Sequence, residues 1–100
     1  YLRNSTEIIY CQFSDYINFI NTTIKDIDIN AKAAVEIESS YLFLNQSLFS
    51  NFSTSIFWLS NCLKNRIIGT TFENATAALL LDYSDANISN STFWYLGDLT

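Results

Sequence analysis

Proline, histidine and methionine are absent from this 100-residue sequence, and glycine and cysteine occur twice each. Without histidine, an imidazole-based catalytic triad and a His-rich metal site are excluded, and two cysteines alone do not make a structural zinc site. Without methionine, the chain is expected to begin downstream of a removed signal or to belong to a longer polypeptide. With only Gly69 and Gly97, Asn, Ser, Thr and Asp must supply the turn geometry, left-handed positions included. Charge is scarce too: 15% of residues are charged, against roughly 25% in ordinary globular proteins. The net charge is −5, and the five cations (Arg3, Lys25, Lys32, Lys64 and Arg66) are scattered. No cationic stripe exists to displace phosphate counterions, which argues against nucleic-acid binding. No apolar run approaches the ~18 residues of a membrane span, and the stretch at 77–81 is interrupted by Asp82, so membrane insertion is not expected.

What is present is apolar and repetitive. The chain is 49% hydrophobic and 16% aromatic, too apolar for intrinsic disorder and long enough for one core. Anchored on Phe49, Phe72 and Phe93, the same chemistry returns at fixed offsets. Five residues earlier stand Leu44, Ile67 and Ile88; two earlier, Ser47, Thr70 and Ser91; two later, Asn51, Asn74 and the exception Tyr95. A second strand opens each coil with period-two alternation: Val35 and Ile37, Phe57 and Leu59, Leu79 and Leu81. These six are expected to point inward in two stacks, with Glu36/Trp58/Leu80 and Glu38/Ser60/Asp82 as outer columns. The spacing sets three 22-residue coils at 33–54, 55–76 and 77–98, with a one-residue adjustment in the middle coil. Residues 1–32 form an irregular first coil or cap about four residues too long, with a protruding loop near 15–22 or an added strand, and 99–100 are a tail. A helical solenoid needs about 33 residues per repeat, whereas ~22 suits one coil of a β-solenoid.

Ile88-Ser89-Asn90-Ser91-Thr92-Phe93, and more loosely Thr71-Phe72-Glu73-Asn74-Ala75, resemble the phrase repeated once per coil in the pectin-lyase-like superfamily of right-handed parallel β-helices. The resemblance runs from about Ile24 to Asp98, with an earlier echo at Cys11-Gln12-Phe13. It implies an all-β fold, a right-handed parallel β-helix of about four coils. On function it says little, because such folds serve lyases, hydrolases, adhesins and spacers alike. Enzymes of this family carry acidic residues on an outer sheet face. The nearest imitation here is the column Glu38, Ser60, Asp82, whose carboxylates would stand ~10 Å apart, at the far limit for an inverting glycosidase. Asp26 with Asp28, or Asp82 with Asp85, could meet calcium, but a solvated polar face explains them as well. No catalytic residue, cofactor or metal is assigned, and the chain is not expected to be an enzyme.

Seven Asn-x-Ser/Thr sequons, at Asn4, Asn21, Asn45, Asn51, Asn74, Asn87 and Asn90, exceed the roughly two that random placement gives. In a secreted protein they mean a coat of N-glycans that replaces the missing charge as a source of solubility. Asn51 and Asn74 stand at equivalent positions on consecutive coils, where stacked amides can form a ladder instead. Asn4, Asn21, Asn45, Asn87 and Asn90 are therefore the better glycan candidates. Cys11 and Cys62 could form one disulfide or remain buried thiols. Trp58 and Leu80 on the outer face, and Trp94, Tyr95 and Leu96 in the last coil, are the candidate partner surface. The last coil lacks a polar cap, so either further coils beyond Thr100 or another copy of the chain is expected to continue the stack. The expected function is structural: a glycosylated protomer, extracellular or at a cell surface, that stacks on other copies of itself end to end. Alternatives are an adhesin-like segment binding glycans or proteins, and part of a polysaccharide lyase or hydrolase.

Overall fold

A computed structural model describes residues 9–12 and 16–97. The fold is all-β, and the described residues form twelve strands wound into four coils of three. Coil 1 holds β1 (Ile9–Gln12), β2 (Tyr16–Ile20) and β3 (Thr23–Ile27); coil 2 holds β4 (Ala33–Glu38), β5 (Tyr41–Asn45) and β6 (Leu48–Phe52). Coil 3 holds β7 (Ser55–Ser60), β8 (Asn65–Ile68) and β9 (Thr71–Ala75); coil 4 holds β10 (Leu79–Asp82), β11 (Ala86–Ser89) and β12 (Thr92–Leu96). Strands of successive coils pair in parallel, giving three four-stranded sheets: β1-β4-β7-β10, β2-β5-β8-β11 and β3-β6-β9-β12. The architecture is a parallel β-solenoid.

The expected columns are in register. Val35, Phe57 and Leu79 align, as do Ile37, Leu59 and Leu81, and Ile9 and Cys11 extend both columns into coil 1. Ile24, Phe49, Phe72 and Phe93 align in the third sheet, and Phe19, Leu44, Ile67 and Ile88 in the second. Because side chains alternate across a strand, one register sends every second residue into a single core. Aromatic rings fill its centre: Phe49 stacks on Phe72 at 5.6 Å, Phe72 on Phe93 at 5.0 Å, and Phe57 meets Phe49 edge-on at 5.0 Å. Each fully buried ring contributes about 1.5–3 kcal/mol relative to an exposed one.

Two expectations need correction. The phrase around each Phe anchor is two strands rather than one, because a two-residue corner, at 21–22, 46–47, 69–70 and 90–91, separates second-sheet from third-sheet strands. The segment near 15–22 does not protrude as a loop: Tyr16–Ile20 is β2, paired along its length with β5, while Asp15 lies outside the described residues. The surplus of coil 1 sits at two other corners. Gln12 to Asn18 spans six positions where their partners Glu38 to Phe43 span five, and Ile24 to Val35 spans eleven where Phe49 to Phe57 spans eight. In coil 3 the single extra residue falls between β7 and β8, where Lys64 takes a φ of 65°.

Corners explain how a chain with two glycines can wind. Left-handed backbone recurs in three series: Ser39, Asn61 and Tyr83; Asn21, Gln46, Gly69 and Asn90; Asp26, Asn51, Asn74 and Tyr95. Asn and Asp tolerate this region because their short polar side chains bond locally, whereas Ser, Gln and Tyr sit there at a cost. Hydroxyls then satisfy the amides that the turning backbone cannot pair. The Ser47 Oγ accepts from Thr22 N–H at 3.1 Å, Ser91 Oγ from Thr70 N–H at 3.2 Å, and Ser84 Oγ from Cys62 N–H at 3.0 Å. Among the described residues, no buried side-chain polar atom lacks a partner.

Candidate functional surfaces

The first sheet presents the outer columns Tyr10–Glu36–Trp58–Leu80 and Gln12–Glu38–Ser60–Asp82. Trp58 and Leu80 are adjacent, as expected, but Trp58 is half-buried and the Lys32 ammonium lies 4.1 Å from its ring centroid. That cation–π contact covers part of the apolar face. Glu38 accepts the Tyr10 hydroxyl at 3.1 Å, and Ser60 separates it from Asp82 in the column. Two of the four aspartates considered for calcium make hydrogen bonds within the fold: Asp26 Oδ1 accepts from Asn51, and Asp85 Oδ1 accepts Lys64 N–H at 2.9 Å. Among the described residues, no group of three or more His, Cys, Asp or Glu could hold a metal ion.

The second sheet carries a surface that the sequence reading missed. Tyr16 and Tyr41 pair side by side with ring centroids 5.4 Å apart, next to the outer column Asn18–Phe43–Arg66–Asn87. Tyr16, Asn18, Tyr41, Phe43, Lys64 and Arg66 line a shallow depression of about 340 Å³, in which Arg66 lies 5.8 Å from the Phe43 ring and, among the described residues, no carboxylate contributes. The 25-residue offset between coils 1 and 2 hides Tyr16 and Tyr41 from a search at period 22; their match at that longer spacing was the available signal.

Asparagines divide by environment. Asn74 Nδ2 donates to Asn51 Oδ1 at 3.1 Å and Asn51 Nδ2 to Asp26 Oδ1 at 2.7 Å, so the ladder exists and extends to an aspartate in coil 1. Asn21, Asn87 and Asn90 are exposed, Asn45 is half-buried on an outer position, and Asn4 lies outside the described residues. Asn65, which belongs to no sequon, is fully buried: its Oδ1 accepts Leu42 N–H, and its Nδ2 donates to the carbonyls of Cys62 and Asp85. One amide thereby ties three coils together.

Cys11 and Cys62 are free thiols. Cys11 is in coil 1 and Cys62 at a corner of coil 3, two interstrand steps or ~9.6 Å away, beyond the ~7 Å that a disulfide spans between Cα atoms. The Cys62 Sγ instead lies 3.3 Å from the carbonyls of Ile37 and Ser60, at the corner where Ser40 and Ser84 stand in the neighbouring coils.

Coil 4 is different from the rest. Leu81, Ile88 and Phe93, inward-column residues, are 46%, 42% and 41% exposed, while their coil-3 counterparts Leu59, Ile67 and Phe72 are at 0%. Tyr83, Trp94 and Tyr95 are exposed beside them, with Trp94 edge-on to Tyr95 at 5.2 Å. Leu96, expected in the same exposed patch, is half-buried against the core. No family model, curated protein or solved structure matches this chain.

Proposed function

We propose that the chain is a structural protomer, extracellular or at a cell surface, whose coils stack on other copies end to end to build a fibre. The supporting observation is coil 4, where Leu81, Ile88 and Phe93 of three core columns are exposed with no described coil above them. Parallel strand edges lie beside them, and neither proline nor a run of charge blunts those edges. A heterologous contact of this kind does not close on itself, so it produces an open filament. N-glycans on the outward sequons keep the flanks soluble, with Asn87 and Asn90 too close for both to be occupied. The coil phrase resembles that of the pectin-lyase-like β-helices, and in this reading the fold serves as a scaffold without enzymatic activity. Negative-stain microscopy tests the reading: fibres of uniform width support it, and particles no longer than one four-coil unit at high concentration refute it.

A second reading, an adhesin-like surface, is favoured by one observation, the Tyr16/Tyr41/Arg66 depression. Aromatic rings with two cations suit an acidic glycan or peptide.

A further inference from the structure

The two-residue corner between the second and third sheets is the one inter-sheet connection whose length is constant in all four coils. Its hydrogen bonds run with fixed polarity along the stack. The left-handed corner residue donates its N–H to the coil above: Asn21 to Asn45 O at 3.0 Å, Gln46 to Ile68 O at 3.0 Å, Gly69 to Ser89 O at 3.1 Å. The next residue donates its N–H to the hydroxyl above, as Thr22 does to Ser47 and Thr70 to Ser91. In return, the first residue of each third-sheet strand donates downward: Leu48 to Thr22 O, Thr71 to Ser47 O and Thr92 to Thr70 O. Asn90 and Ser91 are the coil-4 members of these series, with no fifth described coil above them.

Coil 1 carries the complementary half. Thr22 occupies the hydroxyl column, and its Oγ1 donates to the Ile20 carbonyl at 3.1 Å, as Ser47 does to Asn45 O and Ser91 to Ser89 O. That orientation leaves the Thr22 oxygen able to accept from a coil below, in the way Ser47 and Ser91 accept. Resting on the reading that copies stack end to end, we infer that the joint has one register: the 90–91 corner of one copy receives the 21–23 corner of the next. Asn90 N–H then donates to Ile20 O, Ser91 N–H to Thr22 Oγ1, and Thr23 N–H to Ser91 O of the neighbouring copy. The inward columns continue through the joint in the same register, with Phe93 meeting Ile24, Ile88 meeting Phe19 and Leu81 meeting Cys11. The partner is a second copy in the same orientation. A two-fold contact between coil-4 ends would face Asn90 and Ser91 donors with the same donors and supply neither the Thr22 hydroxyl nor the Ile20 carbonyl.

Cross-linking tests this on the full chain made without glycosylation and with its two free thiols replaced, Cys11→Ala and Cys62→Ser. Thr23 and Thr92 are exposed at the two ends of one outer column of the third sheet, too far apart within a copy to bond but neighbours across the proposed joint. Under oxidation, the Thr23→Cys/Thr92→Cys variant is expected to give a ladder of covalent dimers, trimers and longer species, with Thr92→Cys alone giving none. Covalent dimers from Thr92→Cys alone would establish a two-fold end contact and overturn the inference. Filaments seen by microscopy without the double-variant ladder would overturn the register but leave end-to-end stacking standing, and absence of any association would remove both.

Discussion

Coils 3 and 4 carry nearly the same side chains in the same columns, yet one is a core and the other a surface. Leu59, Ile67 and Phe72 are shielded by a coil on each side, whereas Leu81, Ile88 and Phe93 have a described coil only below. In a solenoid, burial is therefore a property of the neighbouring coil more than of the residue, because each coil contacts only those adjacent to it. A coil with a described neighbour on one side only keeps its strand geometry while its inward side chains stay partly exposed.

The sharpest way to break this comparison is to place one charge in both coils. Leu59→Asp buries a carboxylate between Ile37 and Leu81 and is expected to abolish folding, while Leu81→Asp in the same column leaves the coil-4 carboxylate access to water and the fold intact. Far-ultraviolet circular dichroism with thermal melting reads both. Equal loss in the two variants would mean that coil 4 is covered in solution.

That contrast was partly legible in the sequence. The alternation Val35/Ile37, Phe57/Leu59 and Leu79/Leu81 named the inward columns of the first sheet, because period-two patterning fixes a strand's face. It did not distinguish Leu81 from Leu59, since exposure depends on a neighbour that a column pattern does not encode. The second sheet was hidden for a different reason: the corner at 46–47 and its equivalents are only two residues long, so Leu44, Ile67 and Ile88 read as parts of the anchor strand. Asn65 was missed because a buried amide serving three coils has no apolar signature. The Asn51–Asn74 ladder was foreseen from column position, but its continuation to Asp26 was masked by the longer first coil.

Asn65 gives the next test, since it binds coil 3 to both neighbours. Asn65→Leu fills similar space but strands Leu42 N–H and the Asp85 carbonyl, while the Cys62 carbonyl keeps the Asp85 N–H at 3.3 Å, and each unsatisfied buried group costs about 1–3 kcal/mol. Urea unfolding is expected to show a midpoint well below that of the parent, and an unchanged midpoint would mean that water replaces the amide. A smaller effect of opposite sign is expected at the corners. Ser39 holds a φ of 51°, and Ser39→Gly relieves a left-handed strain of roughly 1–2 kcal/mol, offset by the greater backbone freedom of glycine when unfolded. The net expectation is a slight rise in melting temperature by calorimetry; a clear fall would show that the Ser39 side chain contributes more than its backbone conformation costs.

The central claim is that the uncovered columns of coil 4 are an assembly surface, and sedimentation velocity of the unglycosylated chain over a wide concentration range tests it most directly. The account predicts species that grow in whole-chain steps as concentration rises, with Leu81→Asp remaining folded and monomeric throughout. A parent chain that sediments as one monomer at every concentration, indistinguishable from Leu81→Asp, would contradict it.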